Sequence, residues 1–185
     1  KTLDVSFAKP TLSEKDGYVE IHVDGATTQF AESNRPVLPV YVKTYQIPFR
    51  STDIQVICNP WEISTMSLPK EIIPTRIIPL SEEASQIPYV KDSTVYDSAA
   101  YYPDAWWSSE LGAGRNEQNV QVTFVKVVCY PVRYSPLHNQ LLYTDGFDIQ
   151  VSYREPTTPQ KTFSEPYDLV VIAPEKFSAS LQPLV

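Results

Sequence analysis

Two histidines, two cysteines and a scatter of carboxylates are the residues of this chain with the means for acid–base, nucleophilic or metal chemistry. His22 falls on the polar face of an alternating stretch and His138 falls in a turn. Neither has a nearby Cys, Asp or Glu cluster at ligand spacing, and a base or nucleophile needs a positioned partner. Cys58 and Cys129 each sit in an apolar strand pattern and read as buried thiols. A disulfide between them would need an oxidising compartment and a geometry that spacing does not supply. With no CxxC and no His-rich tract, a zinc site is not expected. Glu82-Glu83 and Asp92 read as solvated loop charges, and the acidic stretch from Asp92 to Asp104 has oxygen donors but nothing like an EF-hand. Gly112-Ala113-Gly114 is too short to cradle phosphate. The expectation is therefore no catalytic residue, no metal and no cofactor.

What remains is binding chemistry. Trp106-Trp107 lies in a polar, aromatic-rich stretch and reads either as a lid folded on a sheet or as a patch for a partner or a sugar. Arg115 follows the glycine-containing stretch 112–114, where a basic side chain on a flexible loop could reach an acidic pocket of a partner.

These residues must be positioned by strands. Phe147, Ile149, Val151 and Tyr153 alternate with Asp148, Gln150, Ser152 and Arg154, a half-buried strand by its period. Residues 120–129 also alternate, but the apolar phase slips from even to odd numbers at Phe124-Val125. That slip predicts a bulge there, or a strand buried on both faces. With Ser135-Pro136-Leu137-His138-Asn139 as a turn, the two stretches read as the arms of one long antiparallel hairpin, 119–154. Upstream, strands are expected over 2–7, 18–23, 27–30, 37–47, 54–58 and 62–68, with Asp24-Gly25 a tight turn and Pro39 marking an edge or a strand start. Residues 10–17 read as a polar turn region. Residues 81–114 read as an irregular centre, long enough to be functional or to cover something.

Composition agrees. Seventeen prolines against five glycines, with twelve tyrosines and seven phenylalanines, suit short strands and stiff connections. A net charge of -7 argues against nucleic acid or an anionic membrane surface as partner. No apolar run approaches the roughly 18 residues of a membrane span, and no leader pattern opens at Lys1, so a processed chain is expected. Past Tyr153 the character changes. Residues 156–166 form a polar, proline-punctuated linker. Asp168 to Ala173 is then a short apolar run, and Pro174-Glu175-Lys176 opens a helix-like pattern, which is how a parallel α/β unit begins. The fold expected is thus all-β, an antiparallel, jelly-roll-like β-sandwich over 1–155, a linker over 156–166, and a truncated first strand and helix of an α/β domain over 167–185.

Several stretches together resemble a known family. NRPVLPVYVKTYQIP, from Asn34 to Pro48, is similar to the G-x-P-x-LP motif, hydrophobic strand and IP of the N-terminal prodomains of gingipain-like cysteine peptidases (peptidase family C25), with Asn34 at the usual glycine. YYPDAWW, a glycine, and then the strand and turn carrying Pro131, Val132, Tyr134 and Pro136 resemble the same prodomains. YDLVVIAPEKFSASLQPLV resembles the opening of the C25 catalytic domain. The likeness runs from about Gly17 to Val185. It implies a secreted or cell-surface zymogen whose β-sandwich prodomain inhibits the cognate C25 catalytic domain and assists its folding. It also implies that the catalytic His and Cys lie outside these residues, so that the fragment is no enzyme. In arginine- and lysine-specific members a basic prodomain residue occupies the specificity pocket. Here Arg115 is the positional candidate, with Trp106 and Trp107 beside it and Lys91 or Arg133 as lesser ones. Cleavage after Arg154 or Lys161 would release the domain. The competing expectation is a non-inhibitory adhesion or glycan-binding module, with carbohydrate as the partner.

Overall fold

The alternating stretches do form strands, but they pair differently from the expected hairpin. The computed structural model describes residues 1–76, 87–157, 174–177 and 181. Twelve strands run through them: β1 (Thr2–Ser6), β2 (Thr11–Lys15), β3 (Tyr18–His22), β4 (Thr28–Phe30), β5 (Leu38–Pro48), β6 (Thr52–Pro60), β7 (Ile63–Ser67), β8 (Trp107–Arg115), β9 (Gln121–Cys129), β10 (Val132–Ser135), β11 (Gln140–Thr144) and β12 (Gly146–Arg154). One short helix, α1 (Ser93–Tyr96), precedes β8. The sheets have the orders β4-β5-β9-β8, β1-β12-β6, β10-β11-β7 and β2-β3, and every strand pair in them is antiparallel.

The architecture is an all-β sandwich. Tyr45, Ile47, Val125, Val127 and Cys129 from the four-stranded sheet share one buried cluster with Cys58, Phe147, Ile149 and Val151 from the β1-β12-β6 sheet. Val132, Tyr134 and Leu141 of β10 and β11 join the same cluster. Phe7, just past β1, sets its ring edge-on to both Tyr41 and Phe147, at 6.0 Å each.

The hairpin expected over 119–154 is corrected by this topology. β9 pairs with β5 and β8, whereas β12 pairs with β1 and β6, so the two arms lie in opposite sheets. The turn at 135–139 exists, with the Asn139 N–H donating to Pro136 O at 3.0 Å, but it joins β10 to β11. The slip at Phe124-Val125 is not a bulge. The β9 register runs unbroken from Tyr41↔Cys129 to Pro48↔Val122. β9 is an interior strand with both faces covered: Val125, Val127 and Cys129 face the main core, and Val128 packs with Val40 and Tyr130 on the other side.

Two further strands lie where none was expected. β2 is polar apart from Leu12, and its signal is the turn rather than the strand. Asp16 and Gly17 have φ of +52° and +86°, the two positive angles of a tight hairpin turn. β8 takes up residues 107–114 of the expected irregular centre and ends at Arg115 just after it. Pro39 stands at the start of β5, opposite Gln29 of β4 and before the β9 ladder begins at Tyr41, so its missing N–H breaks no rung to β9. The expected linker and α/β start lie mostly outside the described residues; Glu175–Phe177 form one 3-10 turn.

Candidate functional site

The residues picked out for binding fall on and beside β8. Among the described residues this strand is the free edge of the four-stranded sheet, paired on one side only, from Trp107↔Cys129 to Arg115↔Gln121. From Ser108 to Arg115 its residues are exposed. Gly112-Ala113-Gly114 was expected as a flexible loop and is instead regular strand, opposite Phe124, Thr123 and Val122. Gly114 suits the close packing there: a Cβ on it would come 3.0 Å from Cε2 of Phe124, so its absence lets that ring lie against the edge strand, whereas Gly112 faces open space.

Arg115 closes the β8–β9 hairpin rather than sitting on a loop before it. Its tip is organised by Asn116, whose Oδ1 accepts from the N–H groups of Gln118 (3.1 Å) and Val120 (2.9 Å). The Asn116 N–H donates to Val120 O at 2.9 Å, and Asn119 takes a φ of +60°. Such side-chain-to-backbone bonds fix a turn without a hydrophobic contact. The exposed Arg115 guanidinium donates from Nη1 to Asn119 Oδ1 (3.0 Å) and Asn119 O (3.3 Å), bonds within its own turn.

The two lesser basic candidates are committed inside the domain. Arg133 donates from Nε to Pro103 O (2.8 Å) and from Nη2 to Asp104 O (2.6 Å), and lies over the rings of Trp106 and Tyr101 at 5.3 and 5.8 Å. Its burial pulls the guanidinium below its ordinary pKa. Lys91 pairs with Glu71 at 3.0 Å and lies 5.6 Å from the Tyr96 ring centre. Hydrogen bonding to Glu71 holds its pKa above the usual lysine value.

The tryptophan pair divides its work. Trp106 is half-buried, edge-on to Phe147 at 6.5 Å, and its carbonyl accepts from the Tyr130 N–H at 2.8 Å. That is the lid expectation. Trp107 begins β8 and lines a cleft of about 390 Å³ with Phe30, Arg35, Tyr101, Tyr102 and Tyr130. Arg35 was not singled out from the sequence. It donates to Asp92 Oδ2 (2.9 Å) and Glu32 Oε2 (2.5 Å), and these two carboxylates push its pKa up. Asp92 also caps α1, accepting from the Thr94 N–H at 3.0 Å, and its pKa is lowered by the bonds from Thr94 and Arg35. Asp92 is thus a fastener between the 31–36 loop and α1, not a free loop charge. The signal within reach was Asp92-x-Thr94, a helix-start pair.

Elsewhere the expected residues do not converge. The His22 Nε2 lies 2.8 Å from Ser13 Oγ and the His138 Nδ1 lies 3.0 Å from Ser135 Oγ, while the Ser135 hydroxyl donates to Ala99 O. Both rings are exposed and neither meets a cysteine. Among the described residues no cluster of three His, Cys, Asp or Glu is placed to hold a metal ion, and no helix is long and apolar enough to cross a membrane. Arg154, expected as a cleavage position, is the last residue of β12, opposite Thr52 and paired with Asp53 at 3.0 Å. Lys161 lies outside the described residues.

The family model Propeptide_C25 matches residues 14–172. The chain belongs to the C25 propeptide family. No curated protein sequence matches it. Among the solved structures similar in fold to this C25 propeptide are two from Porphyromonas gingivalis. One comes from work on the zymogenic latency of gingipain K from Porphyromonas gingivalis, at 20% identity and a TM-score of 0.65, over 84% of this chain and 88% of that one. The other is the complex of Porphyromonas gingivalis RgpB pro- and mature domains, at 14% identity and a TM-score of 0.68, over 98% of this chain and 88% of that one. The resemblance carried by residues 34–48 and 101–140 is borne out. As a propeptide, the chain is the non-catalytic part of a zymogen.

Proposed function

We propose that this C25 propeptide holds the catalytic domain of its own secreted or cell-surface precursor latent and assists that domain's folding, until the segment joining them is cut. The β8–β9 hairpin carries the reading: a free, exposed strand edge that ends in an exposed arginine. An open edge offers backbone N–H and C=O groups to an extended segment of a partner. A guanidinium at its end suits an acidic pocket, where a charge-assisted, two-pronged pair can form. The ladder to β9 and the Asn116 turn pre-order both features, which keeps the entropy lost on binding small. Trp107 and the cleft beside it extend the same surface, with Trp106 supporting it from below. The two similar structures, one concerned with latency and one a complex of pro- and mature domains, support the same reading.

Release would follow cutting within 156–166, with Lys161 the basic residue there. Cutting after Arg154 is the lesser route, because a protease would first have to unzip the last rung of β12. The glycan-binding alternative is not favoured, since the Trp106 ring is already engaged by Arg133 and Phe147.

Titration of the domain into its mature peptidase tests the proposal. Stoichiometric loss of activity is expected. Arg115→Ala should weaken inhibition at least about tenfold, as for an anchoring arginine, and move folding stability by less than about 0.5 kcal/mol. An unchanged inhibition constant removes Arg115 from the contact, and a wild-type domain without effect ends the latency reading.

A further inference from the structure

Cys58 and Cys129 take no part in the partner-binding surface, yet the fold brings them together. They are 71 residues apart in sequence, Cys58 on β6 and Cys129 on β9, and their Sγ atoms lie 3.3 Å apart across the two sheets of the sandwich. Both are buried, and both are free thiols in this structure. The neighbourhood is closed: Cys129 is flanked by Tyr41 of β5 and Trp107 of β8, and Cys58 by Ile149 of β12. A thiol is a weak donor and a weak acceptor, so the contact contributes little as a hydrogen bond. Two apolar side chains of similar size would fill this space as well.

We propose that Cys58 and Cys129 are a cross-linking pair, oxidised to a disulfide that joins the two sheets covalently. Reaching a bond of about 2.0 Å requires the sulfurs to close by about 1.3 Å. The oxidant is a thiol–disulfide oxidoreductase carrying a redox-active disulfide. One cysteine thiolate attacks a sulfur of that disulfide, forming a mixed disulfide and releasing the enzyme's other sulfur as a thiolate. The second cysteine thiolate then attacks its neighbour's sulfur and expels the remaining enzyme thiolate. Two electrons pass to the oxidoreductase, which takes up the two protons the cysteines lose, and the chain keeps an S–S bond.

The reaction belongs to the period before the sandwich closes. In the folded domain the contact with the Cys58 sulfur and the burial push the Cys129 thiol up, which leaves little of the reactive thiolate. Once made, the bond is shielded by the same packing. Because it spans 71 residues, it removes much of the freedom of the unfolded chain. The pairing concerns the core and is independent of whether the domain inhibits a peptidase.

The 185-residue chain, refolded with oxidised and reduced glutathione and then alkylated in denaturant, is expected to take up no alkyl group and to weigh two hydrogens less than the reduced chain. Proteolytic mapping should recover the Cys58 and Cys129 peptides joined. The oxidised form should melt about 10 °C above the reduced one, a difference absent from the Cys58→Ala/Cys129→Ala variant. Two alkyl groups on the oxidatively refolded monomer, cross-links only between chains, or equal melting of both forms would overturn the proposal.

Discussion

Gly146 is the residue where the core leaves least room. A Cβ there would lie 2.2 Å from Cε3 of Trp61 and 2.5 Å from the Val5 carbonyl oxygen. The partly exposed Trp61 ring can swing away only by giving up the bond from its Nε1 to Asp148 Oδ1 (2.7 Å), and the Val5 oxygen is backbone of the paired strand β1 and cannot yield. Gly146→Ala is therefore expected to destabilise the domain by about 1–3 kcal/mol, the scale of an overpacked core. A urea unfolding curve with an unmoved midpoint would refute it. Nothing in Asp145-Gly146 beyond a turn signal announces this, since the constraint comes from Trp61, 85 positions away. Asn34 is the opposite case. It stands where the family motif has glycine, and its φ is +64°, a left-handed angle that glycine adopts freely and asparagine tolerates best among the others. That one angle explains the departure from the motif. Arg115 was legible as an exposed cation after the glycine-containing stretch. Its hairpin was not, because the glycines before it hide the strand and the ladder to β9 is a long-range fact.

At the scale of the element, β9 decides what a period can reveal. An alternating pattern reports one buried face, whereas β9 has two. Its central place between β5 and β8 puts Val125 and Val127 into the sandwich core and Val128 against Val40 and Tyr130. The mixed phase is the signature of that position, and a bulge and a doubly buried strand cannot be told apart before the neighbours are known. Two substitutions one residue apart test the assignment. Val127→Asp places an unpaired charge in a fully buried site and should cost about 3–5 kcal/mol or more, enough to unfold a marginal domain. Lys126→Ala removes a pair with Glu110 whose side chains are 45% and 71% exposed, and should shift stability by less than about 1 kcal/mol. Circular dichroism and thermal melts read both, and a folded Val127→Asp domain of native stability would move β9 out of the core.

For the whole molecule, the strands were mostly legible and their partners were not. Periodicity places Phe147, Ile149 and Val151 on one face, but it does not say that β12 runs between β1 and β6 while β9 crosses to the other sheet. That choice is made by the shared core, and the core also sets how the molecule meets alkali. Burial pushes Tyr45 up to about 12 and also raises Tyr96, Tyr102 and Tyr134, which come from four different parts of the fold. A free tyrosine ionises near 10. Above that pH the unfolded chain gives up protons that the folded one retains, so this contribution to stability is whole below about pH 10 and is lost as pH rises through about 12. A jump to about pH 11 should therefore produce part of the tyrosinate absorbance at once and the rest slowly, in step with loss of the strand signal. Tyr45→Phe sharpens the test. The Tyr45 hydroxyl is buried with no hydrogen-bond partner among the described residues, so removing it should leave the domain at least as stable at neutral pH and shift its alkaline unfolding upward. Immediate appearance of all the tyrosinate with the sheets intact would show that these rings are open to solvent and that the core is not closed around them.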